Sequence, residues 1–392
     1  NMLDECGVCG GSGIAEGECD CDGNMLDECG VCGGDDSLDG YSCITQENIH
    51  ETVALWLTDQ ETAEMMYGHI SDWDVSRVNE MGRLFSTELY HYVEGYDEPI
   101  DAIEQFNDDI TAWDVSNVED LYRTFYGALS FNQDISVWNM PNLTSLHMTF
   151  DYATSFNQPI GSWDVSGVTD MHRLFNQAGS FNQDLSEWDV SSVIDMNSLF
   201  QSTSFNGDVT TWDVSSVANM SQMFAQLSNF NQDISSWDVS SATNMHGMFV
   251  NASSFNSDLS LWDVSGVTDM GHLFDGAQSF NNDISLWDVS SVTNMMRMFS
   301  GASSFNGDLS SWDVSSVGTM YYMFVAASSF NGDLSLWDVS SVTNMGAMFE
   351  QASSFNSDIS SWDVSSVTNT IYMFKGTSSF NSDLSSWDVS SV

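Results

Sequence analysis

The stretch FNGDLSLWDVSSVTNMGAMFEQASS, residues 330–354, holds one full period of a tandem word. Its apolar residues change rhythm midway. In LSLWDVSSV, Leu334, Trp337, Val339 and Val342 follow an L-x-x-L-x-L pattern that reads as a short repeat strand, with alternate residues inward and Leu336 outward. In VTNMGAMFEQA, Met345, Met348, Phe349 and Ala352 stand at i, i+3, i+4 and i+7 behind Thr343 as a capping residue. That spacing predicts about two helical turns with one buried face. Phe355 then plugs the next coil. Each period reads as one strand, one short helix and a Phe-anchored turn.

Tryptophan recurs every 25 residues from Trp113 to Trp387, with one residue missing before Trp212 and an insertion after Trp73. A fixed period of this size means a solenoid, in which each unit buries its apolar face on the next. All 24 phenylalanines fall on two positions of the period, Phe106 to Phe380 in FN and Phe85 to Phe374 after the Met word. Such strictness predicts stacked core columns. The expected fold is therefore an α/β solenoid, with a parallel sheet on one face and short helices on the other.

Two other segments precede this array at residues 73–392, which holds about 13 repeats. Residues 1–44 form a small Cys-rich segment containing all seven cysteines: Cys6, Cys9, Cys19, Cys21, Cys29, Cys32 and Cys43. The word NMLDECGVCGG occurs there twice, and the density reads as a disulfide framework of an oxidising compartment. The paired CxxC words formally resemble a zinc ribbon, but they are copies of one repeat with Cys19 and Cys21 between them. Asp20, Asp22, Asn24 and Asp27 offer alternating oxygen ligands suited to Ca2+, or equally Asx turns beside Gly23. Residues 45–72 read as a helical cap. Thr45 precedes a segment with Ile49, Val53, Ala54 and Leu57 on one face, and Thr58 with Glu61 makes a capping box.

Charge is extreme: 57 acidic against 6 basic residues, a formal net charge of −51. A nucleic-acid partner is excluded, because phosphate binding needs clustered Lys and Arg. Disorder is excluded by the 14 Trp, 24 Phe and 22 Met. No apolar run is long enough for a transmembrane segment. Twelve of the thirteen array tryptophans are followed by Asp, which falls between two inward residues and so projects from the expected sheet. Stacked coils about 4.8 Å apart set these carboxylates in a column, each pair repelling by about 1 kcal/mol in bulk water and several times that near protein. Asp238, Asp263, Asp288, Asp313, Asp338 and Asp363 are thus candidate Ca2+ ligands; hydrogen bonds from the neighbouring serines are the alternative. The aspartates of FNxD, Asp109 to Asp383, form a second column and read as turn caps.

Catalytic signals are lacking: no serine-nucleophile word, P-loop or HExxH occurs, and the array histidines read as solvent-facing helix residues at unlike positions. Asn142, Asn219 and Asn251 stand in N-x-S/T sequons, either glycan acceptors or chance products of a Ser- and Asn-rich chain. The insertion HYVEGYDEPIDAIEQ, residues 91–105, is the one irregular surface and the best place for a contact.

From about residue 49 onward the tandem WDVSSVTNMxxMFxxAxxFNxDIS words resemble the BspA-type leucine-rich-repeat surface proteins. The resemblance implies a right-handed coil, a secreted or cell-surface location, and roles in adhesion or surface structure. It carries over no catalytic residue. The expected function is an extracellular, non-catalytic structural or adhesive protein. Because the array stops mid-repeat at Val392, the chain is expected to be either part of a longer protein or a self-associating subunit of a surface fibre or filament. The alternatives are a module recognising a glycan or a cell-surface protein, and an acidic cation-binding matrix protein.

Overall fold

The computed structural model describes residues 41–93 and 100–392. Cys6, Cys9, Cys19, Cys21, Cys29 and Cys32, and the possible cation ligands Asp20, Asp22, Asn24 and Asp27, lie outside the described residues. Cys43 is disulfide-bonded.

Two helices open the described chain. Helix α1, Ile49–Thr58, buries Ile49, Thr52, Val53, Ala54 and Trp56. Its N-cap is Asn48, not Thr45, and Leu57 is only half-buried because the buried stripe runs through Trp56 instead. Helix α2, Gln60–Tyr67, is capped by Asp59, which accepts from the Thr62 amide at 3.2 Å. The expected box thus shifts by one residue, since an aspartate directly before the helix is the stronger acceptor. Trp56 meets Trp73 edge-on at 5.8 Å, and Trp73 stacks on Trp113 at 6.1 Å. The helical pair therefore covers the first indole of the array.

Beyond it the apolar assignments hold while the secondary structure differs. Leu334, Trp337, Val339, Val342, Met345, Met348, Phe349 and Ala352 are all at most 4% exposed, and Leu336 is 81% exposed. The expected helix, however, is a chain of β-turns. Ala347 and Gln351 have φ of 52° and 61°, which a right-handed helix forbids. The Met348, Glu350 and Ala352 amides close turns onto Met345, Ala347 and Phe349 at 3.0 to 3.1 Å. Between them, the Met345, Ala347, Phe349 and Gln351 amides donate to Asn369, Ile371, Met373 and Lys375 of the next coil at 2.7 to 2.9 Å. An isolated two-turn helix is marginal, and here half of the amides find acceptors in the neighbouring coil instead.

The expected strand is also displaced. LSLWDVSSV makes two β-turns, with the Trp337 and Val342 amides donating to Leu334 and Val339 at 3.2 and 2.9 Å. Parallel pairing is confined to single bridges one repeat apart, in series from Glu80↔Asp120 to Asn344↔Asn369. No extended sheet forms among the described residues, so the WDV aspartates do not project from one. What forms is a stack of turn-rich coils joined by hydrogen bonds.

Side chains tie the coils in the opposite direction. The Trp337 indole donates to Leu309 of the preceding coil at 2.9 Å, the Thr343 hydroxyl to Gly318 at 3.1 Å, and the Asn331 amide to the Asn306 carboxamide oxygen at 2.8 Å. Phenylalanines fill the centre in two columns as expected: Phe349 lies 3.8 Å from Phe355 in its own coil and 5.9 Å from Phe374 in the next. Among the described residues no helix is long and apolar enough to cross a membrane.

The one-residue deletion before Trp212 is absorbed locally. Elsewhere the FN phenylalanine amide donates to the backbone carbonyl three residues before it, most often an alanine's, as Phe355 does to Ala352 at 3.1 Å. In the short coil Thr203 takes the alanine's place, and its hydroxyl accepts from the Phe205 amide at 3.2 Å. Trp188 and Trp212 still stack at 6.5 Å. Thr203→Ala leaves a buried donor unpaired and is expected to cost about 1–2 kcal/mol in denaturant unfolding. A variant as stable as the parent would remove the hydroxyl from this repair.

Candidate functional site

The aspartate columns have resident donors. Asp238, Asp263, Asp288, Asp313, Asp338 and Asp363 each accept from the amide of the serine two residues on, at 3.0 to 3.1 Å. Serine hydroxyls and amides hold Asp238, Asp288, Asp338 and Asp363 below the usual carboxylate range. The FNxD aspartates make the same turn, as Asp333 does with the Ser335 amide at 2.9 Å. No three His, Cys, Asp or Glu side chains converge as a metal site among the described residues. Of the sequons, Asn142 and Asn251 are exposed, whereas Asn219 is half-buried and bonded to Asp195 and Ser221.

The non-consensus residues gather on another face. Between each repeat's Met and the following Ala, turn positions point outward and vary from coil to coil. Past the insertion, this segment carries every tyrosine and histidine of the array, and it holds five of the six basic residues: Arg83, Arg123, Arg173, Arg297 and Lys375. The positive-φ position accounts for Arg83, Arg123, Arg173, His272, Arg297, Tyr322 and Tyr372. Turn geometry thus aims long polar side chains off a face whose backbone is occupied in joining coils.

At the first coils these residues interlock. Arg83 lies over Tyr122 at 4.5 Å, and Arg123 over Tyr126 at 5.3 Å. Arg83 and Arg123 both pair with Glu88, at 3.0 and 2.6 Å. Burial raises the Glu88 pKa, but the two guanidinium groups outweigh it and hold the carboxyl low. Tyr92, at the start of the insertion, hydrogen-bonds Arg83, so the irregular loop adjoins this cluster. A shallow cleft nearby is lined by Thr87, Glu104, Tyr126, Gly127, Leu129 and Tyr152.

Histidines extend the same face. His147, His172 and His246 share one repeat position, contrary to expectation, and His272 stands one place further on. The His147 and His172 rings stack at 4.8 Å. His147 Nδ1 meets Asp170 at 2.8 Å and His246 Nδ1 meets Asp269 at 3.3 Å, each across a coil boundary. At this bridge position the half-buried Asp120, Asp170, Asp195 and Asp269 share a column with Asn, Ser and Thr that sequence reading missed. Its signal was the alternation of Asp, Asn, Ser and Thr before each Met.

Asp151 is wholly buried, with Asn176 donating to it at 2.7 Å and Arg173 paired at 3.0 Å. Burial pushes its pKa up to about 6 against the help of these partners. The folded state then binds a proton more tightly than the unfolded chain, so the ionised carboxylate costs stability as pH rises from about 4 through about 6. Asp151→Asn is expected to flatten stability across that window, read by chemical unfolding at stepped pH. An unchanged slope would place the titration elsewhere.

These features define a stacked tandem-repeat protein with a uniform frame and one variable face. The chain belongs to the family described as Mycoplasma protein of unknown function, DUF285, whose model matches residues 60–91, 96–204, 186–268, 257–349 and 302–392. This repeat family is consistent with the BspA-type resemblance. No curated protein matches the sequence. Among solved structures, a chain of the "Crystal structure of TLR13-ssRNA13 complex" aligns at 10% identity and a TM-score of 0.21, over 70% of this chain. The chain spans 50% of that protein's length, and a likeness this loose defines no shared architecture.

Proposed function

We propose that the chain is a non-catalytic, extracellular adhesive scaffold, whose uniform coils display the Arg-, Tyr- and His-bearing face to a glycan or a cell-surface protein. The reading rests on one observation: in a chain of net charge −51, five of the six basic residues share a face with the array's histidines and non-core tyrosines. Aromatic and arginine side chains dominate recognition energetics. A purely structural frame has no need to vary one face while keeping the others constant.

Binding of the purified chain to an immobilised glycan array and to a set of matrix proteins tests this. Tyr122→Ser with Tyr152→Ser is expected to weaken the interaction roughly tenfold or more, whereas Asp338→Asn with Asp363→Asn leaves it intact. Failure to bind either class, or indifference to the tyrosine changes, would overturn the reading.

Calcium is retained as a proposed counterion of the aspartate columns, and fibre assembly as a proposed use of the stack. Unfolding in millimolar Ca2+ and in excess chelator, at matched ionic strength, tests the first. A coincident pair of transitions assigns the carboxylates to their serine donors alone. Sedimentation over a range of concentrations tests the second, and a monomer throughout rejects it.

A further inference from the structure

The β-turn before each core tryptophan presents its third residue to solvent. In many coils that residue is Ser or Thr, and its hydroxyl donates to the preceding coil, as Ser311, Ser361 and Ser386 do at 2.7, 2.9 and 2.6 Å. Leu261, Leu286 and Leu336 occupy the same position and are 85%, 83% and 81% exposed. A leucine there forgoes the hydrogen bond between coils and holds its side chain in water. Neither serves the fold.

The setting of these leucines identifies what would cover them. Leu261 and Leu286 stand in consecutive coils, and Leu336 stands two coils beyond Leu286. The tryptophans that directly follow this position stack 6.4 Å apart per coil, so over one and three coils the leucines fall roughly 6 and 19 Å along the stack. Residues i, i+4 and i+11 of a helix rise by about 6 and 16 Å on one narrow face, within a leucine side chain's reach of that spacing. The ridge is bordered in sequence by exposed Asp258, Asp283 and Asp333 before it and Asp263, Asp288 and Asp338 after it. A second copy of the chain, with 57 acidic and 6 basic residues, brings like charge, and so does an anionic lipid surface.

We propose that this ridge docks a cationic amphipathic helix of a partner protein, laid along the stack with its apolar face on Leu261, Leu286 and Leu336 and its Lys or Arg side chains on the flanking aspartates. The surface is separate from the Arg- and Tyr-bearing face and does not depend on its ligand.

Fluorescence anisotropy with a synthetic Lys/Leu amphipathic helical peptide and a composition-matched scramble tests the proposal on the full chain. The chain is expected to prefer the amphipathic peptide by roughly tenfold or more, and Leu261→Ser/Leu286→Ser/Leu336→Ser is expected to abolish that preference. Serine already fills this turn position in neighbouring coils, so the triple variant keeps the fold, with thermal unfolding as the check. Equal affinity for the two peptides, binding of neither, or undiminished preference in the triple variant would each overturn the proposal.

Discussion

Phe224→Ala is expected to lower unfolding stability by about 3–5 kcal/mol, the cost of removing a fully buried aromatic ring from a core that cannot collapse around the gap. Phe224 is fully buried, 4.0 Å from Phe230 in its own coil, 6.1 and 5.9 Å from Phe200 and Phe249 in the coils on either side, and 6.0 Å from Trp237. Every one of those rings is held by coils on both sides, so none is free to swing into the void. In a stacked array, stability is close to a sum of unit and nearest-neighbour terms. The same change therefore weakens both junctions of its coil, and the unfolding curve is expected to broaden or split as the halves uncouple. Guanidinium titration followed by tryptophan fluorescence checks it. A loss below about 1 kcal/mol with a single sharp transition would show that the phenylalanine columns are not the principal link between coils.

Position 326 separates a turn chain from a helix by the sign of a single substitution. Ala326 has φ of 55°, and its amide donates to Glu350 of the next coil at 2.8 Å. Glycine in a helix interior costs about 1 kcal/mol relative to alanine, whereas at positive φ it relieves about 1–2 kcal/mol of Cβ strain, offset in part by the entropy of the unfolded chain. Ala326→Gly is thus expected to be neutral to stabilising by roughly 0.5–1 kcal/mol. Ala326→Pro both forces φ negative and deletes the donor, so about 3 kcal/mol or more is expected to be lost. Paired unfolding curves decide it. A glycine variant clearly less stable than the parent would restore the helical reading of this segment.

The ambiguity at that segment explains how far the sequence could be read. Met345, Met348, Phe349 and Ala352 are all buried, as their spacing requires, yet i, i+3, i+4 and i+7 serve a succession of β-turns as well as a helix. Apolar period reports which side chains face inward. It does not report where the backbone amides go, and here half of them leave the coil for the next one. The same limit moved the pairing: Leu334, Trp337, Val339 and Val342 are inward, but their backbone folds into turns and the bridges form at Asn344. The serine donors of the WDV aspartates were visible as one of two options because Asp and Ser stand two apart in one turn. The pairing of His147 with Asp170 was not, since it joins residues in different coils. Only stacking brings them together. The variable face escaped notice because its members sit at several offsets of the repeat, and only the turn geometry shows that they emerge on one side.

The hydrogen bonds between coils run in two senses. The Met345, Ala347, Phe349 and Gln351 amides donate toward the following coil, while the Trp337 indole, the Thr343 hydroxyl and the Asn331 amide donate to the preceding one. Every junction is thus directional, and its backbone donors and acceptors repeat from coil to coil. A duplicated 25-residue word arrives with its acceptors already facing its neighbour's donors, and the loss of a whole word rejoins two surfaces of matching kind. A single-residue change gains no such match, and the short coil ending at Phe205 stays in step only because the Thr203 hydroxyl stands in for a carbonyl. Genes for such a chain can lengthen or shorten by whole periods without new design, so that reach, and the number of side chains held out on the variable face, become heritable quantities counted in coils.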